Sequence, residues 1–290
     1  MRLEPLPFRT RLVNGEVITS WAPRHAMSNA TSVKEVDGIL RRQGTFTGHS
    51  PSNSDRVSAW RKLGGLHDRA FTEPEVVQGN WVITRSLCDR CLPSPMGGHA
   101  RMSDRGWVCL KHKRWLGDHT QVDLKDFGEV VVAERHWRAS LTQRGIVVDC
   151  PLVLLAEEAA TVGISKTVLE QRADRCKDPS PALLVYPETV RLARLLSRPS
   201  FLDSMLGTEP AAWKRATVER EVSMVLPDAL DAEAWRALAR VWQFVLDLQD
   251  VVRDGHLLGT LPDDRWNVLR LWSGFPKFQS AGVPQVDQLM

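Results

Sequence analysis

The chain has 290 residues, 43% hydrophobic and 25% charged, with a formal net charge of +3. That length suits one large domain or two to three small ones, and the composition is that of an ordinary globular protein. No apolar run approaches the ~18 residues of a membrane span, and the Met1 segment is Pro-rich with no apolar signal core, so a cytoplasmic protein without a membrane partner is expected.

In chain order, Leu3 to Phe8 reads as extended because of its prolines. Ser20 is a candidate N-cap for a helix running to about Ser28, with Pro23 in its first turn, where amides are unpaired anyway. Ser32 and Glu35 form a capping box. The helix they start has Val33, Val36, Ile39 and Leu40 on one face and stops near Gly44. Ser54 is a candidate cap for a third helix, with Val57, Trp60 and Leu63 in line and Gly64-Gly65 at its end.

Trp81 to Thr84 is β-like and leads into Cys88-x2-Cys91; Gly106-Trp107-Val108 leads into Cys109-x2-His112. Two such turns, seventeen residues apart, have the spacing of a tetrahedral zinc site built from two knuckles. Thiolates and a neutral imidazole suit Zn2+, and four protein ligands leave no open position for a catalytic water. Zn2+ is therefore expected as a structural cofactor held by Cys88, Cys91, Cys109 and His112. An odd cysteine count argues against a disulfide framework, and Cys150 and Cys176 read as buried small residues. His99 and His119 lack knuckle spacing.

From Asp126 the pattern is helical again. Ala133 to Gln143 is one candidate helix. Leu155 to Leu169 reads as helix, tight turn with Gly163 at positive φ, then helix. Ser165 can cap the second helix, and in a helix-turn-helix that helix enters the major groove. Its first turns offer Ser165, Lys166, Thr167 and Gln171 to DNA, with Glu170 alongside. Arg191 to Leu206, Ala211 to Met224 and Ala232 to Val252 are further amphipathic helices. Asp228 or Asp231 is the cap of the last, whose stripe of Leu238, Val241, Trp242, Val245, Leu248 and Val252 suits core packing or a partner. The tail after Phe275 reads as loosely held. The fold expected is mainly α: helical domains with helix-turn-helix-like elements around a small zinc-ribbon module. The division expected is 1–80, 81–120, 121–190 and 191–290.

Charge is unevenly spread. Between Arg85 and Trp115 seven basic residues face only Asp89 and Asp104, a net +5, whereas Leu226 to Asp264 carries a net −5. A basic zinc module suits a phosphate-facing surface. Arg101, Arg105, Lys111, Lys113 and Arg114 are its candidate DNA contacts. The eleven tryptophans spread along the whole chain, as core anchors rather than one stacking platform.

The opening Pro-x-Pro stretch with Gly15-Glu16-x3-Ser20-Trp21-x2-Arg24 resembles the start of TniQ-type proteins. Arg85-x2-Cys88-x2-Cys91-Leu92, followed by Trp107-Val108-Cys109-x2-His112-x3-Leu116, resembles their zinc motif. Together these cover roughly residues 3 to 120. The resemblance implies a transposon-associated target-selection factor, with helix-turn-helix and zinc-ribbon modules. It implies contact with double-stranded DNA or an RNA-guided complex, and recruitment of a transposition ATPase. It carries over Cys88, Cys91, Cys109 and His112 as zinc ligands and no catalytic residue.

Two other readings stand beside a zinc-stabilised, non-enzymatic DNA-binding protein. One is a protein-binding scaffold, prompted by the acidic helix from Ala232. The other is an HNH-like nuclease, prompted by Asp118-His119; there the Asp-His pair follows both knuckles instead of lying between them. No GxxxxGK[ST] and no GxGxxG opening a helix is present, so nucleotide hydrolysis and dinucleotide binding find no support.

Overall fold

The structure, a computed structural model, describes residues 3–72, 84–102, 104–117, 121–148, 150–227, 229 and 231–257. Several expectations lie outside the described residues: Trp81 to Ile83 as a strand, Asp118 and His119, Asp228 as a cap, Trp266 and Trp272 as anchors, and the tail. The chain divides into two compact units, Met1–Glu75 with Thr84–Met102, and Val76–Ile83 with Ser103–Met290. The fold is mainly helical, as the periodicity predicts. No described helix is long and apolar enough to cross a membrane.

In the first unit, α1 (Ile18–Ser28), α2 (Val33–Arg42) and α3 (Ser54–Gly64) surround a core of Trp21, Ala22, Ala26, Leu40, Phe46, Ala59 and Trp60. The capping box at Ser32 and Glu35 is complete, and Gly44 follows α2 at φ 69°. Ile39 departs from its expected face and is 46% exposed. Asn53, not Ser54, caps α3, because its Oδ1 reaches the amides of both Asp55 and Arg56. Ser20 is not a cap either. Helix α1 begins at Ile18, which puts Ser20 and Pro23 inside it. The Ser20 hydroxyl instead donates to Glu16 and accepts the amide of His99.

Three polar groupings are sealed into this unit. Arg24 Nη2 donates to both Glu16 carboxylate oxygens at 2.7 Å, and its Nε donates to Oε1 at 3.1 Å. Asp37 accepts from Arg56 and from the Trp60 indole. His25 is fully buried and stacked on Trp21 at 4.4 Å between ring centroids. Its Nε2 lies 3.2 Å from the Leu63 carbonyl and its Nδ1 3.2 Å from the Thr10 hydroxyl. The tautomer that suits both partners donates from Nε2 to Leu63 and accepts from Thr10 at Nδ1.

Two small sheets follow. Strands β1 (Arg85–Ser86) and β2 (His99–Ala100) form an antiparallel pair in the first unit. Strands β3 (Val108–Cys109), β4 (Arg114–Trp115) and β5 (Val122–Asp123) form an antiparallel meander in the second.

The second unit continues with α4 (Gly128–His136), which runs into a π turn (Trp137–Leu141) and a 3-10 turn (Thr142–Arg144). The single helix expected over Ala133 to Gln143 is thus three conformations in series. Prolines start the next helices: α5 (Pro151–Gly163), α7 (Pro181–Leu196) and α8 (Pro199–Leu206) each carry Pro in the first turn. Pro199 also explains why Arg191 to Leu206 is not one helix. It drives Arg198 into an extended conformation (φ −77°, ψ 125°) and forces a break. Between α5 and α7 lies the two-turn α6 (Lys166–Ala173), and α9 (Ala211–Val225) and α10 (Asp231–Leu257) complete the unit. Cys150 is buried at the start of α5, whereas Cys176 is only half-buried.

Helix α5 lies at the centre, packed on α7 and α10. Ala156, Ala159 and Ala160 are fully buried and small enough for close approach. Gly163 was expected at positive φ in a turn; it is instead the last residue of α5, and the turn falls on Ile164 and Ser165 in extended geometry. Glycine is needed there for space: a Cβ would sit 2.5 Å from Ala237 Cβ and 2.8 Å from Leu226 Cδ1. On α10 the expected stripe faces the core, with Val241, Val245 and Leu248 buried. The tryptophans split: Trp21, Trp60, Trp115 and Trp137 are buried anchors, whereas Trp213 and Trp235 are 45% and 59% exposed.

Two predictions follow from this packing. Gly163→Ala is expected to destabilise by about 1–3 kcal/mol through overpacking. Gly128→Ala, where a Cβ meets nothing within 4 Å, is expected to be neutral or slightly stabilising. Thermal melts of the two variants check the contrast. For His25, burial holds the imidazole below its ordinary value. Above about pH 6.5 both states are neutral and its contribution is complete; below it the unfolded chain takes up a proton that the folded chain refuses. Stability is therefore expected to fall as pH drops from about 6.5, by up to ~1.4 kcal/mol per pH unit. His25→Gln should flatten that part of the profile, and equal slopes in both proteins would count against the assignment.

Candidate metal centre

Cys88 stands two residues beyond β1, where the amides of Cys91 and Leu92 both bond back to its carbonyl. That tight turn brings Cys91 round to the same side. Leu87, Leu92 and Ala100 form a small apolar cluster beneath it, with Val13 and Met102 packed against them. Cys109 ends β3, and His112 lies in the turn to β4, where Lys113 takes φ 49°. The Cys109 Sγ to His112 Nδ1 distance is 3.8 Å.

The four ligand atoms of Cys88, Cys91, Cys109 and His112 all lie within 4.8 Å of one another, with Cys88 buried and the others partly so. Bond lengths of about 2.3 Å to sulfur and 2.0 Å to nitrogen put tetrahedral ligands about 3.5–3.8 Å apart. The cluster is therefore within about 1 Å of closing on one ion, and its donor set fits a thiophilic divalent metal.

Behind the second pair lies a grouping that spacing alone does not announce. Glu134, on α4, is fully buried. Its Oε1 accepts the Gly106 amide at 3.1 Å and Arg138 Nε at 2.7 Å; its Oε2 accepts the Val108 amide at 3.3 Å and the Tyr186 hydroxyl at 2.8 Å. Arg138, in the π turn, also donates to the Val108 carbonyl, and Thr142 donates to that of Asp104. Burial holds the Glu134 carboxyl above its ordinary value, against the opposing pull of Arg138, Tyr186 and the Val108 amide. Gly106 has no room for a side chain: a Cβ would lie 2.0 Å from the Tyr186 oxygen and 2.4 Å from Glu134 Oε2. Trp115 packs edge-on to Tyr186 at 5.1 Å. The only sequence trace of this grouping is a lone tyrosine and a Glu-x3-Arg pair, neither of which names its partner.

The candidate DNA contacts fall on separate elements. Lys111 and Lys113 are exposed in the β3–β4 turn. Arg114 is half-buried and donates to the Gln121 carbonyl. Arg105 is half-buried and paired with Asp104 at 3.6 Å, and Arg101 is half-buried just past β2, its amide bonded to the Gly15 carbonyl. Ser165 is buried as the N-cap of α6, its hydroxyl accepting from Val168. Lys166, Thr167 and Gln171 are exposed on that helix, with Lys166 3.5 Å from Glu170. Comparison with protein-family models, with curated proteins and with solved structures finds no match.

Proposed function

We propose that this chain is a non-enzymatic, zinc-stabilised DNA-binding protein of the TniQ kind. Its role in this reading is target selection or recruitment in DNA transposition, with a transposition ATPase as a protein partner. The observation that carries the metal part is the convergence of three thiol sulfurs and one imidazole nitrogen within 4.8 Å. Zn2+ fits that donor set, and four protein ligands make the site structural rather than catalytic. The DNA part is supported by exposed Lys111 and Lys113 flanking His112, and by the exposed cationic start of α6 at Lys166. In this reading the lysines beside the metal meet backbone phosphates and set affinity, while Thr167 and Gln171 reach base edges and set sequence choice.

A scaffold that binds only protein is the second reading. It is favoured by Trp235, 59% exposed on a helix that also carries Asp247 and Asp250.

Purified protein is expected to carry one equivalent of Zn2+, and Cys109→Ser to lose it along with thermal stability, measured by elemental analysis and melting. A metal-free chain whose melt is indifferent to chelator would reject the zinc reading. The double variant Lys111→Glu/Lys113→Glu is expected to weaken binding to all duplexes alike, by about tenfold or more, and to lower the salt slope by roughly 1–2. An unchanged slope rejects the patch. No retardation of any DNA by zinc-loaded wild type favours the scaffold.

A further inference from the structure

We propose that Glu134 is a positioning residue for the metal centre, fixing Cys109 and His112 through the backbone amides of Gly106 and Val108. This inference rests on the metal-binding reading above.

The warrant begins with what a carboxylate does at this place. A buried ion pair is weak evidence for stability, because apolar residues of equal volume often serve as well. An apolar side chain at 134 could not, however, accept the amides of Gly106 and Val108. Those amides belong to the three residues that run directly into the first ligand of the second pair, Gly106, Trp107 and Val108. Glu134 holds both of them, one on each carboxylate oxygen. Arg138 holds the carbonyl of Val108, and Thr142 that of Asp104. The Tyr186 oxygen lies 3.5 Å from the Trp107 amide while its hydroxyl serves Glu134. The approach to Cys109 is thus gripped along its length by α4, the π turn and α7. The partners lie 26 to 79 residues away in sequence.

Strand β3 is two residues long and ends at Cys109, so its own ladder cannot set the thiol's direction. The orientation comes from the clasp. Groups that hold ligands in place typically change metal affinity by about 10–100-fold when removed. Linkage is reciprocal: if the clasp strengthens metal binding by a given factor, bound metal strengthens the clasp by the same factor. Metal loss would then be felt in α4 and α7, beyond the ligands themselves.

The test measures Zn2+ affinity by chelator competition on the full chain for wild type, Glu134→Gln, Tyr186→Phe and Glu188→Gln. Glu188 is the control. It lies on α7 and is buried against Arg172, in a pair remote in sequence from the ligands. Expected are about 10–100-fold weaker binding for Glu134→Gln and a smaller loss, roughly threefold, for Tyr186→Phe, by the same scale for a single donor. Glu188→Gln should melt lower yet bind zinc within about twofold of wild type, since its bonds to Arg172 lie off the segment that leads into Cys109. Wild-type affinity in Glu134→Gln, or an equal loss in Glu188→Gln, overturns the proposal. If Glu134→Gln does not fold, Tyr186→Phe and amide exchange on wild type decide. Zinc should slow exchange at Gly106, Val108 and along Gly128–His136 by about tenfold or more, in line with the reciprocal coupling. Protection confined to 88–91 and 109–112 overturns it. A wild type that binds no zinc sinks the metal reading itself, and that outcome is visible in the first arm alone.

Discussion

The five strands among the described residues are two residues long each and supply few ladder bonds of their own. Backbone and side-chain hydrogen bonds from elsewhere in each unit hold them in place. In the first unit, Gly15 and Val17 bond to Arg101 and His99, and the Ser20 hydroxyl takes the His99 amide, so β2 is anchored to α1. In the second, the Glu134 carboxylate takes the amides on either side of Trp107. In each unit a buried acid thus stands behind one of these strands. Glu16 holds Ser20 and Arg24 in one case, and Glu134 holds the strand itself in the other. The four candidate ligands, Cys88, Cys91, Cys109 and His112, could hold a metal ion, and each pair has local support from its own unit.

What was legible in the sequence was local. Ser32 and Glu35 declare a helix start because both halves of the box lie within four residues. The ligand quartet is legible because each turn presents its pair by spacing alone. The misreadings are of two kinds. Where neighbours compete for one cap, propensity does not choose: Asn53 displaces Ser54, and Ser20 is drawn inward by Glu16. Where a residue answers to a distant element, the chain gives no sign: Gly163 is small because of Ala237, not because of a turn. Glu134 belongs to this second kind. Its partners sit 26 to 52 residues away, apart from Arg138, and on a helix pattern it reads as one more surface acid.

The residues that carry the TniQ resemblance are largely internal. Glu16 and Arg24 keep 0% and 7% of their side chains exposed, Trp21 is fully buried, and Cys88 and Leu92 are buried as well. Gly15 takes φ 74° where a Cβ would meet the Arg101 carbonyl at 2.9 Å. Side chains so enclosed cannot meet DNA or a partner; their chemistry is spent on each other. In the proposed reading these residues build the interior of the protein and the candidate ligand set, and leave any target to other positions.

Any target must be met by the positions the motif leaves open. Lys111 and Lys113 are such positions, on either side of His112 and exposed in the same turn. In the proposed reading a metal held by His112 would order the backbone between them, so that less entropy would be lost on meeting a phosphate. Arg105 and Arg114 differ in that each already has a local partner, in Asp104 and in the Gln121 carbonyl. An arginine held that way gives up a bond before it makes one. In the proposed reading the two exposed lysines of the turn meet phosphates, and binding through them alone would be insensitive to sequence. In that reading discrimination among targets comes from another surface, and Thr167 and Gln171, exposed on α6, carry groups that can meet base edges.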